Sequence, residues 1–482
     1  MKKLNDLYPG IGTDLIIRNV RNNYLEIEKN DLFVCTIDSN LDRHNCIDEA
    51  VKRGAVAVVV SKDVYDSRVA VIKVPDTNRE FPYLCQKFYD FPDKKMKMIG
   101  VLGTDGKTST SVIIQSLLGI SKVGYIGTNG RSCAAFNDEN SNKILDASEL
   151  YEGLGEFVKF GCKYAVVEAS SREILQKSLI ASSYDILVFT NLANEYLDDN
   201  NKFIEYFNTI GEGFRQVREN GYCIINRDDP YFESIKSLCK GNVFTYGRTE
   251  DSTLQIVDFS ISNSKSLIKF KYNNEEFDVL SPLLGEFNIY NLAASILCVL
   301  TIGYRKEEFL DKITDLVIPG RMEMLKTDSL YYVMVDYAHT TNSIVKLINF
   351  VHTLGVNNTI VVLGAVMDKD LSMLSSIGKS VCDMADYVIF TYDDPDNAAM
   401  INSVNMMYEG IKDKYHNMMI VPDRKLAIRN AISMAKDKDI VLLLGKGREV
   451  YQKLEFNDIT VAYQEIALRK INEENGVNAE NN

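Results

Sequence analysis

The clearest chemical signature lies between residues 100 and 110, which read Gly100-Val101-Leu102-Gly103-Thr104-Asp105-Gly106-Lys107-Thr108-Ser109-Thr110. A glycine-rich turn ending in Lys-Thr can aim successive backbone N–H groups at one anion, and a helix that starts there adds the positive end of its dipole. In such a loop Lys107 is a point charge for the outer phosphates, and the Thr108 hydroxyl can hold Mg²⁺. The expected ligand is a nucleoside triphosphate, cradled by Gly103, Thr104, Asp105, Gly106, Lys107, Thr108 and Ser109. Val101 stands where the first glycine of G-x-x-x-x-G-K-[ST] belongs, so the full pattern is not met. The bland alternative is a glycine turn with a surface lysine. The flanks decide against it: residues 98–102 are an apolar run of strand character, and 111–118 are helix-like and stopped by Gly119.

Further along, four polar clusters each follow an apolar run. Asp336-Tyr337-Ala338-His339 follows 332–335, Gly364 to Asp370 follows 360–363, Asp393-Asp394-Pro395-Asp396 follows 387–390, and Gly445-Lys446-Gly447-Arg448-Glu449 follows 440–444. In parallel sheets ligands sit beyond the carboxyl ends of the strands. A single cluster of this kind reads as a solvated loop, but four on one rim predict a binding site.

The elements that must position these residues follow an α/β pattern. Residues 31–35, 46–53 and 54–60 alternate strand, helix and strand in a small N-terminal region, and 164–168, 186–191 and 222–226 are buried-strand candidates separated by helical lengths of chain. That alternation predicts mostly parallel sheets with helices on their faces. Pro319-Gly320 marks a break before the pattern resumes. The expected organisation is three domains: a small α/β domain at 1–96, a central phosphate-loop domain at 97–318 and a further α/β domain at 319–482. The last ten residues read as a frayed tail.

Composition sets limits on partners. With 482 residues and a formal charge of -13, the chain lacks the basic balance that nucleic acid or an anionic membrane would demand. The nine cysteines form no C-x-x-C pair and there are four histidines, which argues against zinc sites and a disulfide framework and for a reducing compartment. No apolar stretch follows Met1-Lys2-Lys3-Leu4-Asn5-Asp6, and the longest apolar run, about 292–302, is too short to span a bilayer. A soluble cytoplasmic protein is expected, with a monomer as the default state.

Taken in order, the phosphate loop, Glu168-Ala169-Ser170-Ser171, Leu284-Gly285-Glu286-Phe287-Asn288-Ile289-Tyr290-Asn291, Gly320-Arg321-Met322-Glu323, Asp336-Tyr337-Ala338-His339-Thr340 and Gly445-Lys446-Gly447-Arg448-Glu449 resemble the motifs of the Mur ligases. Among these the set is most similar to the MurE type, the UDP-N-acetylmuramoyl-tripeptide synthetases, and the similarity runs from about Asp31 to Tyr463. It implies one domain for the UDP-sugar, one for ATP and a C-terminal Rossmann-like domain for the incoming amino acid, with UDP-MurNAc-dipeptide as the default acyl substrate. It also implies ATP-dependent amide formation through an acyl phosphate, with Lys107, Glu168 and His339 in catalysis and Thr108 and Glu168 on the Mg²⁺ side. Domain closure is expected to bring Arg321, Asp336 and His339 onto the nucleotide and to exclude water. Asn288 corresponds to an adenine-side asparagine, or serves as a helix cap. Lys369 is expected on the amino acid's α-carboxylate and Glu449 on its amine, with Gly445, Asp393, Asp394 and Asp396 completing that pocket.

Departures from the family pattern are equally specific. Glu195-Tyr196-Leu197-Asp198 stands where an Asp-His-Leu-Asp-like segment is usual, and Ile210 falls at the position of a lysine that is carbamylated to hold a second Mg²⁺. Leu145-Asp146-Ala147-Ser148 replaces a Thr-Thr-Pro segment, Asn23-Tyr24-Leu25 replaces Asp-Ser-Arg, and Arg172 and Arg448 each replace a histidine. These changes leave open a paralog that binds nucleotide in a regulatory role, or a ligase for another acyl chain. Where diaminopimelate enzymes carry Asp-Asn-Pro-Arg, this chain has Asp393-Asp394-Pro395-Asp396, which favours a cationic amino acid such as L-lysine.

Overall fold

The computed structural model describes residues 1–38, 41–138, 146–169, 174, 179, 181–192, 200–262, 265–364, 371–393, 398–448 and 457–474. It separates into two compact units, one built from Met1–Val257, Phe270–Phe277 and Tyr290–Lys312 and the other from Asp258–Lys269, Asp278–Ile289 and Ile313–Asn482.

In the first unit a parallel sheet has the order Val20–Arg21, Asp31–Val34, Ala55–Val60, Ala70–Lys73. The helix Ile47–Arg53 stops at Gly54, whose φ of +119° suits glycine. A Cβ there would also lie 2.7 Å from Lys29 Cα, so the position tolerates no side chain. The helix Thr77–Phe88 starts because the Asp76 carboxylate accepts from the amides of Asn78 (2.9 Å) and Arg79 (3.1 Å). Leu32, Val34 and Val59 of this sheet belong to the same apolar cluster as Leu150, Leu154 and Phe157, so the small sheet shares its core with the helix Ala147–Lys159.

The larger sheet of this unit runs Phe136–Asp138, Gly130–Cys133, Val123–Gly127, Tyr164–Ala169, Lys97–Leu102, Tyr184–Phe189, Val217–Asn226, Asn242–Gly247. The strands from Val123–Gly127 to Asn242–Gly247 are parallel, and Lys97–Leu102 sits among them with every residue but Lys97 buried. That burial explains its nearly unbroken apolar sequence. Gly130–Cys133 and Phe136–Asp138 depart from the expected parallel order and are antiparallel. The reason is local: two residues, Thr128 and Asn129, join Gly127 to Gly130, and a parallel crossover needs a far longer connection.

Four strands lie in a stretch where the sequence reading named none: Asn242–Gly247, Leu254–Ile261, Ser266–Tyr272 and Glu275–Ser281. Within Ser266–Tyr272 burial alternates, with Ile268 and Phe270 inside and Leu267 and Lys269 outside. Asn273 and Asn274, both at positive φ (51° and 64°), make the tight turn into the next strand.

The sheet of the second unit has the order Glu323–Met324, Tyr332–Asp336, Ile440–Leu444, Thr359–Leu363, Tyr387–Phe390, Met418–Ile420. All of its strands are parallel except Glu323–Met324, so the segments after residues 336, 363, 390 and 444 emerge on one edge. Apolar clusters cover both faces, one containing Val361 and Phe390 and the other Val362 and Leu443. Among the described residues no helix is long and apolar enough to cross a membrane.

Candidate active site

The phosphate loop occupies the turn between Lys97–Leu102 and the helix Lys107–Leu118. Gly103 (φ +139°) and Gly106 (φ +81°) adopt conformations that disfavour side chains. Space forbids side chains there as well: a Cβ on Gly103 would lie 2.1 Å from Thr190 Oγ1, and one on Gly106 2.3 Å from Asn291 Oδ1.

Thr190 and Asn191, at the end of the neighbouring strand, brace the loop. Thr190 Oγ1 donates to Asp105 O (2.6 Å), Asn191 Nδ2 donates to the same carbonyl (3.0 Å), and Asn191 Oδ1 accepts from Asp105 N (3.1 Å). Thr104 N donates to Asn191 O at 2.9 Å, and Thr104 Oγ1 meets Tyr206 OH at 3.0 Å. None of these braces was singled out from the sequence, where Thr190-Asn191 looked like the end of a strand. Their polar types directly after an apolar run were the available signal.

Lys107 Nζ donates to the carbonyls of Gly103 (2.9 Å) and Thr104 (2.6 Å), which holds the ammonium over its own loop. Gly106 at the N-cap contributes no side-chain acceptor to the first turn of the helix. That suits an anion as the group that meets its amides. Thr108 and Ser109 are each 5 % exposed. Thr108 Oγ1 donates to Glu168 Oε2 at 3.0 Å, and Thr128 Oγ1 donates to the same oxygen at 3.0 Å. The other carboxylate oxygen accepts from the Tyr125 phenol. A hydroxyl beside a carboxylate, 5 % exposed and with hydroxyl donors around it, is a hard oxygen set that fits Mg²⁺. Thr108 and Glu168 are thus the residues that would hold it.

In the second unit three motifs are knit together. The Asp336 carboxylate accepts from Met322 N and Ala338 N, both at 2.7 Å. Its backbone carbonyl accepts from Gly445 N at 3.1 Å. Glu323 accepts from Gly320 N (2.7 Å) and pairs with Arg448 (3.2 Å). Gly320 (φ +67°) and Gly447 touch so closely that a Cβ on Gly320 would lie 2.5 Å from Arg448 N. The Arg321 guanidinium lies 4.0 Å from the centre of the Tyr337 ring, and the Tyr337 and His339 rings stand nearly perpendicular with centroids 5.0 Å apart. His339 Nδ1 donates to Tyr337 O at 2.8 Å, so in the neutral ring the proton sits on Nδ1.

Asn288, 3 % exposed in the first turn of Glu286–Ile302, donates through Nδ2 to Leu284 O at 2.9 Å. This bond ties the helix start to the chain before it. Asp393 is paired with Arg424 at 2.8 Å, and Gly364 lies so near that a Cβ there would meet Asp393 Oδ1 at 1.8 Å. Ser170, Ser171, Arg172, Glu195 to Asp198, Lys369, Asp394, Asp396 and Glu449 lie outside the described residues. Ile210 is fully buried in the apolar cluster with Leu102, Phe189 and Phe214.

Two family models match this chain: the Mur ligase middle domain over residues 101–299 and the Mur ligase glutamate ligase domain over 320–447. The chain belongs to the Mur ligase family. It is 31 % identical over 464 residues to the UDP-N-acetylmuramoyl-L-alanyl-D-glutamate–2,6-diaminopimelate ligase of Clostridium perfringens, covering 93 % of each chain. Over 474 residues it is 31 % identical to UDP-N-acetylmuramyl-tripeptide synthetase 2 of Oceanobacillus iheyensis, covering 93 % of this chain and 94 % of that one. The MurF ligase of Thermotoga maritima, solved in complex with ADP, shares the fold with a TM-score of 0.66 at 19 % identity, over 95 % of this chain and 100 % of that one.

Proposed function

We propose that this chain is an ATP-dependent acid–amino-acid ligase that extends UDP-MurNAc-dipeptide by one amino acid in the synthesis of peptidoglycan precursors. The observation that carries the reading is the placement of Lys107, Thr108 and Glu168 around one glycine loop in a chain whose relatives are named for this step. A carboxylate does not acylate an amine near neutral pH. Transfer of the γ-phosphoryl of ATP onto it gives an acyl phosphate, and attack of the amino group then expels inorganic phosphate and leaves the amide. Lys107 and the amides of the loop offset the charge on the moving phosphoryl group. Thr108 and Glu168 are the residues that would hold Mg²⁺, which when bound would supply further countercharge.

Asn288, Arg321, Asp336 and His339 carry over from the family motifs as the nucleotide-side residues of the second unit. Lys369, Asp393, Asp394, Asp396, Gly445 and Glu449 carry over as its amino-acid side. The division into domains at 1–96, 97–318 and 319–482 belongs to the same reading, as do a cytoplasmic location and a monomeric state.

The test is phosphate release from ATP in the presence of UDP-MurNAc-dipeptide and a panel of amino acids. Release that needs both partners supports the ligase. Tight ATP binding with no release for any pair would support the nucleotide-binding paralog instead.

A further inference from the structure

The hydrogen bonds around Glu168 are asymmetric. Its Oε2 faces two hydroxyls, Thr108 and Thr128, each at 3.0 Å. Its Oε1 faces the phenol of Tyr125, 2 % exposed on the strand Val123–Gly127. The amide of Asn129 donates to that phenol oxygen at 3.1 Å. One lone pair of the Tyr125 hydroxyl is thus taken by an N–H group, and a carboxylate only accepts, so the phenolic proton points at Glu168 Oε1. Gly127 bounds the same socket: a Cβ there would lie 2.3 Å from the same Oε1. The carboxylate therefore has one seat for Oε1, formed by the Tyr125 hydroxyl and the bare backbone of Gly127.

We infer that Tyr125 is a positioning residue for the metal-side carboxylate: it pins Glu168 Oε1 so that Oε2, beside Thr108, is the oxygen presented to the cation of the nucleotide complex. The inference rests on the proposed nucleotide reading. When Thr108 gives a lone pair to the cation, its proton must leave Glu168 Oε2. The Tyr125 bond to Oε1 is not disturbed by that change, so the carboxylate keeps its orientation while its metal face is remade. Removing the phenolic oxygen frees the carboxylate to rotate, and metal affinity falls while the chemistry at saturating metal persists.

The experiment compares the wild type with Tyr125→Phe and Gly127→Ala, using Mn²⁺ as the probe. Mn²⁺ binding in the presence of ADP is followed by electron paramagnetic resonance, and the Mn²⁺ dependence of phosphate release is measured alongside. Loss of a partner behind a metal ligand weakens metal binding roughly tenfold. Both variants should show about that loss, with kcat recovering as Mn²⁺ is raised. Melting curves confirm folding, and if Tyr125→Phe does not fold, Gly127→Ala alone decides. Unchanged Mn²⁺ affinity in a folded variant overturns the proposal, as does a fall in kcat that excess Mn²⁺ leaves in place. Failure of the wild type itself to bind Mn²⁺ with ADP overturns the nucleotide reading and the proposal with it.

Discussion

Arg424 Nη1 lies 2.8 Å from Asp393 Oδ1, and each of these side chains is 3 % exposed. The other edge of the guanidinium binds Asp458 at 2.6 Å, and Nη2 also donates to Leu444 O at 2.9 Å. One arginine thus ties together the ends of two strands, Tyr387–Phe390 and Ile440–Leu444, and the start of the helix Asp458–Glu474. Asp393, read from the sequence as part of an acidic pocket, is paired within the fold with Arg424, which it shares with Asp458.

Arg424→Ala removes the guanidinium from two buried carboxylates, and breaking such a network costs about 3–5 kcal/mol. Urea denaturation should show that loss. Arg424→Lys should recover only part of it, because an ammonium cannot serve both edges of the fork. A loss within the range of exposed ion pairs would contradict the buried network.

Lys107→Ala should abolish ATP turnover and weaken nucleotide binding, since Lys107 is the lysine of the loop and its Nζ lies over the carbonyls of Gly103 and Thr104. The structural loss is that of two bonds on a partly exposed loop, about 1–2 kcal/mol each. A calorimetric titration with ATP beside a melting curve separates the two effects. Wild-type binding and turnover in this variant would refute the phosphate-loop assignment.

Asp93 has no exposed surface, and both its oxygens accept from Gln86 Nε2, at 3.1 and 3.0 Å. Burial pushes its pKa above the ordinary carboxylate value, with the Gln86 bonds opposing that rise. The sign follows by linkage: a carboxyl raised in the folded state contributes stability below its unfolded pKa and loses it as pH rises through the folded one. Asp93→Asn should therefore be more stable than the wild type at pH 7, with the gap narrowing as pH falls toward about 4, where the unfolded carboxyl is about half protonated. Urea melts at the two values check it, and a gap that widens on acidification would reverse the sign.

Ile210, fully buried beside Leu102 and Phe214 in one apolar cluster, offers nothing that carbon dioxide could carbamylate. Bicarbonate should leave phosphate release unchanged. A rise in activity with bicarbonate, or a carbamylated lysine found by mass spectrometry, would sink this expectation.

Legibility followed the range of the interactions. The strand entering the phosphate loop, the glycine positions and the parallel core strands of the second unit are set by short-range pattern, so residues 98–102, 332–335, 387–390 and 440–444 were readable as strands. Arg424 was not, because its partners are 31 and 34 residues away and nothing in its immediate sequence points to them. The Thr190–Asn191 brace has the same character: its bonds to Asp105 span 85 and 86 residues. Leu254–Ile261 and Ser266–Tyr272 did carry a period-two burial signal, but apolar residues on the outer face, such as the exposed Leu267, blurred the alternation.

The amino acid added should be L-lysine or a near analogue such as ornithine, in preference to meso-diaminopimelate. Relatives such as that of Clostridium perfringens are named for 2,6-diaminopimelate, so the expectation departs from them and rests on charge. Diaminopimelate ends in an ammonium and a carboxylate, and an arginine is the side chain suited to grip the second carboxylate with paired hydrogen bonds. In this chain the segment after the strand Tyr387–Phe390 reads Asp393-Asp394-Pro395-Asp396 and carries no arginine. With Asp393 paired to Arg424, the discrimination is expected to fall to Asp394 and Asp396. A carboxylate there attracts the ε-ammonium of lysine and repels a distal carboxylate, a difference of several kcal/mol when desolvated, or roughly a hundredfold in kcat/KM. Asp396→Arg should reverse the order by removing the repulsion and supplying the grip. Side-by-side turnover of L-lysine, ornithine and meso-diaminopimelate by the two proteins decides the matter: a wild type that prefers diaminopimelate, or an Asp396→Arg variant with unchanged preference, would refute the acidic-pocket argument.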